Sequence, residues 1–162
     1  MPAAILALQA ELKVEGPGGS RWIQAEDFFV TSYTNSLSPD EVLTEIRVPV
    51  LENHRIAYLK NAPRPSDFAI VGVAVCLQAD PAGTCKEIAI GITGVTDKPY
   101  RAHYVEHALR GRALKPDTIE HAAGEVTWDI DVNDSIRASK AFRTHLARVW
   151  TRRTIQAALE ET

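Results

Sequence analysis

Long apolar runs are absent from this sequence. A membrane-spanning helix needs about 20 consecutive apolar residues, so none is predicted. The N-terminal "MPAAILALQA" is apolar, but it lacks a basic leader and is too short for a signal peptide. The expectation is a cytoplasmic protein. An excess of positive charge is absent as well. The net charge is −3, which gives no reason to expect a nucleic-acid partner or an anionic membrane surface. Cysteine is scarce: Cys76 and Cys85 flank a predicted turn at Asp80–Gly83, close enough in sequence to lie near each other. With neither a CxxC motif nor metal-ligand spacing, they read as free thiols of a cytosolic protein. A glycine-rich phosphate loop is also missing. "GPGGS" at Gly16–Ser20 stands between two predicted strands rather than before a helix, and reads as a hairpin turn. No Ser-His-Asp or Cys-His spacing stands out.

What is present is ordinary soluble-protein material: 45% hydrophobic and 24% charged residues over 162 positions. That length builds one domain or two small ones and buries a core without disulfides. Strand-like apolar residues begin at once, as though the chain started partway through a fold. "ELKVEGPGGSRWIQA" predicts a hairpin, "AEDFFV" at most one helical turn, and "EVLTEIRVPV" an alternating strand. On that strand Val42, Thr44, Ile46 and Val48 share a face. Leu43 stands on the opposite, charged face, where a small satellite contact would account for it. Pro49 ends the strand.

Leu51 to His54 is the natural boundary, giving regions 1–50 and 51–162. Beyond it three strands are predicted between Ile56 and Val95. The second, "DFAIVGVAVCLQAD", is apolar on both faces and is expected to be central in a sheet covered on both sides. On the third, Ala89, Gly91 and Thr93 form a face of small side chains that another backbone or a ligand can approach. Helical patterns follow at Lys98–Leu109, Thr118–Val126 and Ser135–Leu159. On the last, Phe142, Leu146, Val149 and Trp150 share a face, and Arg143, Arg148, Arg152 and Arg153 fall on the others as a solvated basic stripe. Strands followed by segregated helices predict an α+β fold: a small antiparallel three-stranded sheet with a three-helix bundle on one face, preceded by a β-rich region.

Two stretches carry chemistry. "HYVEH" matches the inverted zincin pattern H-x-x-E-H, with His103 and His107 at i and i+4, Glu106 beside them, and Glu120 or Glu125 as a third ligand. The helix is short and no supporting motif accompanies it, so an exposed face with two histidines is the better reading and no metal is expected. "LKNAPRPSDFAIVGVAVCL" is the stronger candidate. It brings Lys60, Arg64, Asp67 and Phe68 to the mouth of the central strand. Pro63 and Pro65 stiffen the link, Lys60 can offer an ammonium to an electron-rich ring, and Phe68 can offer a ring face. On chemistry alone a solvated Lys60, a local Arg64–Asp67 ion pair and a core Phe68 are the better account.

The residues then resemble a family. "EVLTEIRVP", "AYLKNAPRPSDFAIVGVAVCL", "IGITGVTDKPYRA" and "DVNDSIRASKAFRTHLARVWTRRTI" follow one another in the order and spacing of the flavin-binding medium subunit of molybdenum hydroxylases. That group includes aerobic carbon monoxide dehydrogenase and the xanthine dehydrogenases. The resemblance covers nearly the whole chain. It implies an FAD cofactor held between an N-terminal region of two small subdomains and a C-terminal α+β domain. It implies electron transfer in an assembly with iron-sulfur and molybdenum subunits. In it, residues 1–50 look like the end of the second FAD-binding subdomain. Leu43 looks like the strand residue whose backbone contacts the flavin, Lys60 like the Lys near the isoalloxazine, and Asp67 and Phe68 like the Asp-aromatic pair at the ring. Phe68 replaces a Tyr common there.

One departure is large. The family's pyrophosphate loops, of "AGG-x-S" and "T-x-GG" type, are not in this sequence. The expectation is therefore the C-terminal part of a flavin subunit, truncated, without independent catalysis and with weak or no FAD binding alone. Its partners would be the N-terminal FAD-binding half and the iron-sulfur and molybdenum subunits. The alternative is an interaction module, self-associating as a homo-oligomer, that keeps the fold and has lost FAD.

Overall fold

The computed structural model describes residues 2–160. The chain opens with a helix, α1 (Pro2–Ala7), where strand-like residues were expected. Alanines at positions 3, 4 and 7 favour that helix, and Ala3, Leu6 and Ala7 are buried. Strict alternation then gives β1 (Glu11–Gly16), with Leu12 and Val14 inside. A turn at Pro17–Gly18 leads into β2 (Gly19–Gln24), and Gly19 takes φ 112°, a backbone open to glycine. The short helix α2 (Ala25–Phe28) and a small hairpin, β3 (Phe29–Thr31) with β4 (Thr34–Asn35), follow. β5 (Val42–Arg47) returns to pair with the free edge of β1, giving an antiparallel sheet in the order β2-β1-β5.

The face on which β5 packs is the reverse of the one expected. Leu43 is half-buried against the Leu12, Val14 and Ile23 cluster, so the satellite contact is real. Val42, Ile46 and Val48 point to solvent. Three apolar positions sharing a face did not mark the core side, because the single Leu lies over the neighbouring cluster.

The second sheet holds β6 (Arg55–Asn61), β7 (Val71–Ala79), β8 (Cys85–Thr93) and β9 (Tyr100–Arg101), all antiparallel and in chain order. Sequence periodicity predicts three strands here. The two-residue β9 extends the sheet across a segment predicted as helix from Lys98. Three helices follow: α3 (His103–Leu109), α4 (Pro116–Ala123) and α5 (Lys140–Glu160). Residues 135–139, predicted as the start of α5, instead form a tight strap closed by a Ser135–Ala138 bridge. Ser139 caps α5 by accepting the Phe142 N–H at 3.3 Å.

β7 is buried from Val71 to Leu77, as its continuous apolar run predicts. Its Val71, Val73, Val75 and Leu77 face the main core with Ile88, Ile90 and Ile92 of β8 and apolar residues of α3, α4 and α5. Ala74, Cys76 and Ala89 face the other way and meet Ala3 and Ala7 of α1. A Cβ at Gly91 would lie 2.0 Å from the Ala3 carbonyl oxygen. The expected close approach at the small-residue face of β8 is therefore made by the backbone of α1. The N-terminal helix thus packs on both parts: Ala3 and Ala7 meet the second sheet, and Leu6 joins the cluster under the first.

Candidate functional site

β6 and β7 are joined by the loop of residues 62–70, which begins Ala62-Pro63-Arg64-Pro65. Proline fixes φ and supplies no N–H, so this loop cannot be knit by its own backbone over its first half. One tight turn is formed, with the Asp67 N–H donating to Arg64 O at 3.0 Å. The end of the loop is tied back to β6 by the Ile70 N–H, which donates to Asn61 O at 2.8 Å, and further ties come from cations on neighbouring elements. Lys60 Nζ, at the end of β6, donates to Pro65 O at 2.6 Å and Asp67 O at 3.0 Å. Arg143 of α5 donates through Nη1 to Ile70 O at 3.0 Å and Gly94 O at 2.6 Å, and through Nη2 to Ser135 Oγ at 2.8 Å.

These ties shape a cleft of about 650 Å³. Asp67, Phe68 and Ile70 form one wall, Gly94 and Thr96 another, and Asn133, Arg137 and Arg143 the third. Phe68 is 89% exposed, so its ring is presented rather than packed in the core. Gly94 has φ 84°, and a Cβ there would meet Ile70 O at 2.5 Å, so the two loops touch backbone to backbone. The turn after Gly94 is held in place by Asn133, whose N–H donates to Val95 O at 2.9 Å and whose Nδ2 donates to Asp97 Oδ1 at 2.8 Å. Ser32, between β3 and β4, donates to Asp97 O at 3.1 Å, so the N-terminal region reaches the same rim.

Of the four residues picked out from sequence, Asp67 and Phe68 line this cleft together. Lys60 is not among the lining residues; its ammonium donates to the Pro65 and Asp67 carbonyls of the loop. Leu43 is on the other sheet, on edge strand β5, and is not among the lining residues. Arg64 and Asp67 are joined through the backbone, and among the described residues they form no ion pair. Arg143 was assigned to a solvated stripe; the structure buries it to 9% exposure. The signal was there: Arg143 precedes Leu146, Ala147, Thr151, Thr154 and Ile155 at helical spacing, and those residues are the buried face. Phe142, read as core, is 46% exposed instead.

The "HYVEH" stretch separates into two unlike parts. Glu106 is 2% exposed and faces inward. Its Oε1 accepts the Ile90 N–H at 2.8 Å and Arg101 Nε at 2.7 Å, and its Oε2 accepts Arg101 Nη2 at 2.7 Å. His103 and His107 face outward, and His103 pairs with Glu26 of α2. The carboxylate of the motif is thus spent on a buried bidentate ion pair. Among the described residues no group of three or more His, Cys, Asp or Glu side chains is placed to hold a metal ion. Cys76 and Cys85 lie on opposite faces of their sheet, one against α1 and one in the main core, so their closeness in sequence brings them no contact. Burial pushes both thiols up to about 11.

Comparison with known proteins fits this architecture. The model of the CO dehydrogenase flavoprotein C-terminal domain matches residues 57–158, and that of the FAD-binding domain in molybdopterin dehydrogenase matches residues 1–51. The glyceraldehyde dehydrogenase medium chain of Sulfolobus acidocaldarius is 32% identical over 93% of this chain and 53% of its own. The carbon monoxide dehydrogenase medium chain of Afipia carboxidovorans is 31% identical over 98% of this chain and 55% of its own. The solved structure of reconstituted CO dehydrogenase from Oligotropha carboxidovorans superposes with a TM-score of 0.92 at 31% identity, covering 98% of this chain and 55% of that one. The chain spans about half the length of the relatives it matches, which are subunits of multi-subunit enzymes. Among the described residues no helix is long and apolar enough to cross a membrane. By its family-model matches over both parts and its fold, the chain belongs to the FAD-binding medium subunits of molybdenum hydroxylases.

Proposed function

We propose that this chain supplies the ring-facing wall of an FAD site and that the phosphate-binding loops come from the rest of a flavin subunit. The observation that carries the reading is Phe68. A phenyl ring 89% exposed at the rim of a 650 Å³ cleft is unfavourable in water unless a planar or apolar partner covers it. The residues fit the ring end of FAD: a ring face from Phe68, a carboxylate from Asp67, and a stiff loop between them and Lys60. They do not fit the diphosphate, since Gly16–Gly19 is spent on the β1–β2 turn. FAD, when bound, supplies the redox chemistry. The chain's own work is to bind, orient and shield. Leu43 is assigned a backbone role on the open edge of β5, and Lys60 acts through the loop it braces.

The same proposal places residues 1–50 in the second FAD-binding subdomain and residues 51–162 in the C-terminal domain, a sheet with a three-helix bundle. Its partners are the N-terminal FAD-binding half and iron-sulfur and molybdenum subunits. A cytoplasmic location accords with two buried free thiols. No independent catalysis is assigned to the chain.

A second reading, a self-associating or docking module without flavin, is favoured by one observation. Val42, Ile46 and Val48 near edge strand β5, and Ile56 and Tyr58 on edge strand β6, are all exposed. Exposed apolar residues on open sheet edges call for a cover.

Titration of the purified chain with FAD, followed by flavin fluorescence and then gel filtration, decides between them. Weak saturable binding that Phe68→Ala reduces, lost on gel filtration, supports the first reading. No saturable binding, together with a dimer in solution, overturns it in favour of the second.

A further inference from the structure

Arg143 does something that neither general stability nor surface charge explains. It stands in the first turn of α5, 9% exposed, and its guanidinium reaches three separate segments. Ile70 O ends the loop that carries Asp67 and Phe68, Gly94 O belongs to the turn after β8, and Ser135 Oγ belongs to the strap before α5. All three acceptors are neutral. Among the described residues Arg143 makes no ion pair, and its Nε is buried without a partner. Burying a cation with no counter-charge is unfavourable, so a neutral side chain of similar length would serve a merely structural purpose better. What the guanidinium adds is a rigid planar fork that fixes several acceptors at set distances.

The acceptors it fixes are the walls of the cleft. Ile70 follows the Asp67–Phe68 pair by two residues, and Gly94 approaches Ile70 so closely that a side chain would not fit. Lys60 holds the other end of the same loop through Pro65 O and Asp67 O. Besides the backbone bond from the Ile70 N–H to Asn61 O at 2.8 Å, which closes the loop on β6, two cations clamp it by donating to main-chain carbonyls, and only Arg143 links it to the Gly94 turn. We propose that Arg143 is the positioning residue of the cleft, setting the distance between the Phe68 loop and the Gly94 turn and so the gap into which a planar ring fits. The identity of the ring rests on the flavin reading above; the clamp itself does not.

Hydrogen exchange of the intact chain tests the clamp without any ligand. Arg143→Met is expected to speed exchange at residues 66–70 and 94–97 by about tenfold or more, the size of effect that losing such hydrogen bonds produces. Residues 88–92 in the core of β8 should exchange as in the wild type. Arg143→Lys, which keeps the charge but not the fork, should fall between. Should Arg143→Met not fold, Ser135→Ala removes one arm of the fork and is expected to loosen the same two segments more mildly. Unchanged exchange there, or a uniform rise across the whole sheet, overturns the proposal.

FAD titration of the same variants separates the clamp from the flavin reading. Wild type should bind FAD more tightly than either Arg143→Lys or Phe68→Ala. If Phe68→Ala weakens binding and the Arg143 variants do not, positioning is overturned while the flavin reading stands. If the wild type and Phe68→Ala do not differ, the flavin reading falls, and exchange alone decides the role of Arg143.

Discussion

The ammonium of Lys60 donates to the main-chain carbonyl of Asp67 at 3.0 Å, from the strand that leads into the loop Asp67 occupies. The ammonium thus braces the loop that carries Asp67 and Phe68 at the cleft. Lys60→Met keeps the aliphatic stem and removes the donor from Pro65 O and Asp67 O. The expected cost is about 1–3 kcal/mol, the range for bonds to a charged group left unmade. Phe68→Ala, at a residue exposed to solvent, is expected to change stability by no more than about 0.5 kcal/mol. Urea unfolding of the two variants should order them that way, and a larger loss for Phe68→Ala would show its ring to be packed.

Gly91→Ala tests the packing of α1 on the second sheet. The added methyl would stand 2.0 Å from Ala3 O, so the helix must move away from β8. Overpacking of this kind costs roughly 1–3 kcal/mol, and a backbone neighbour puts this case at the upper end. The check is the urea midpoint together with exchange at residues 3–7, which should rise. An unchanged midpoint would mean that α1 is only loosely attached.

Glu106 and His107 are neighbours in one motif with opposite fates. Glu106→Ala leaves the half-buried Arg101 without its carboxylate and the Ile90 N–H without its acceptor, and breaking a pair with one fully buried partner costs up to about 3–5 kcal/mol. His107→Ala touches an exposed side chain and is expected to stay within about 0.5 kcal/mol of wild type. Thermal unfolding distinguishes them directly. Equal losses would indicate that the two histidines and Glu106 act as a unit.

Acid should loosen the far end of the β1–β5 sheet only as the pH falls from about 4.5 towards 2. The Arg21 guanidinium, bonded to both oxygens of Glu41, and then the Ser38 N–H, lower the Glu41 carboxyl to about 2. A depressed carboxyl stabilises the fold fully above its unfolded pKa, near 4.5, and loses that contribution as pH falls towards 2. Carboxyl NMR shifts of Glu41 should titrate near 2, and Arg21→Gln should move that midpoint up towards 4.5. A wild-type midpoint already near 4.5 would show the pair to be open in solution.

Much of the architecture was legible in one dimension. The β1–β2 hairpin follows from alternation broken by Gly-Pro-Gly-Gly, and the burial of β7 on both faces from its unbroken apolar run. Their causes are local: side-chain period and backbone freedom. The β9 strand and the strap at 135–139 were not legible, because two-residue strands and three-residue bridges carry no period. The sidedness of β5 was missed for a different reason. Which face of an edge strand is inside depends on the cluster it meets, and that cluster is assembled from α1, β1, β2 and α2.

The candidate site divides in the same way. Sequence by itself determined that Asp67 and Phe68 stand together at the mouth of a buried strand, since two prolines and an apolar run leave them little choice. Only the tertiary structure decided what Lys60 and Arg143 do. A cation's role is set by the acceptors that come within about 3 Å of it. For Arg143 those acceptors lie as far away in sequence as Ile70 and Gly94, and folding alone brings them together.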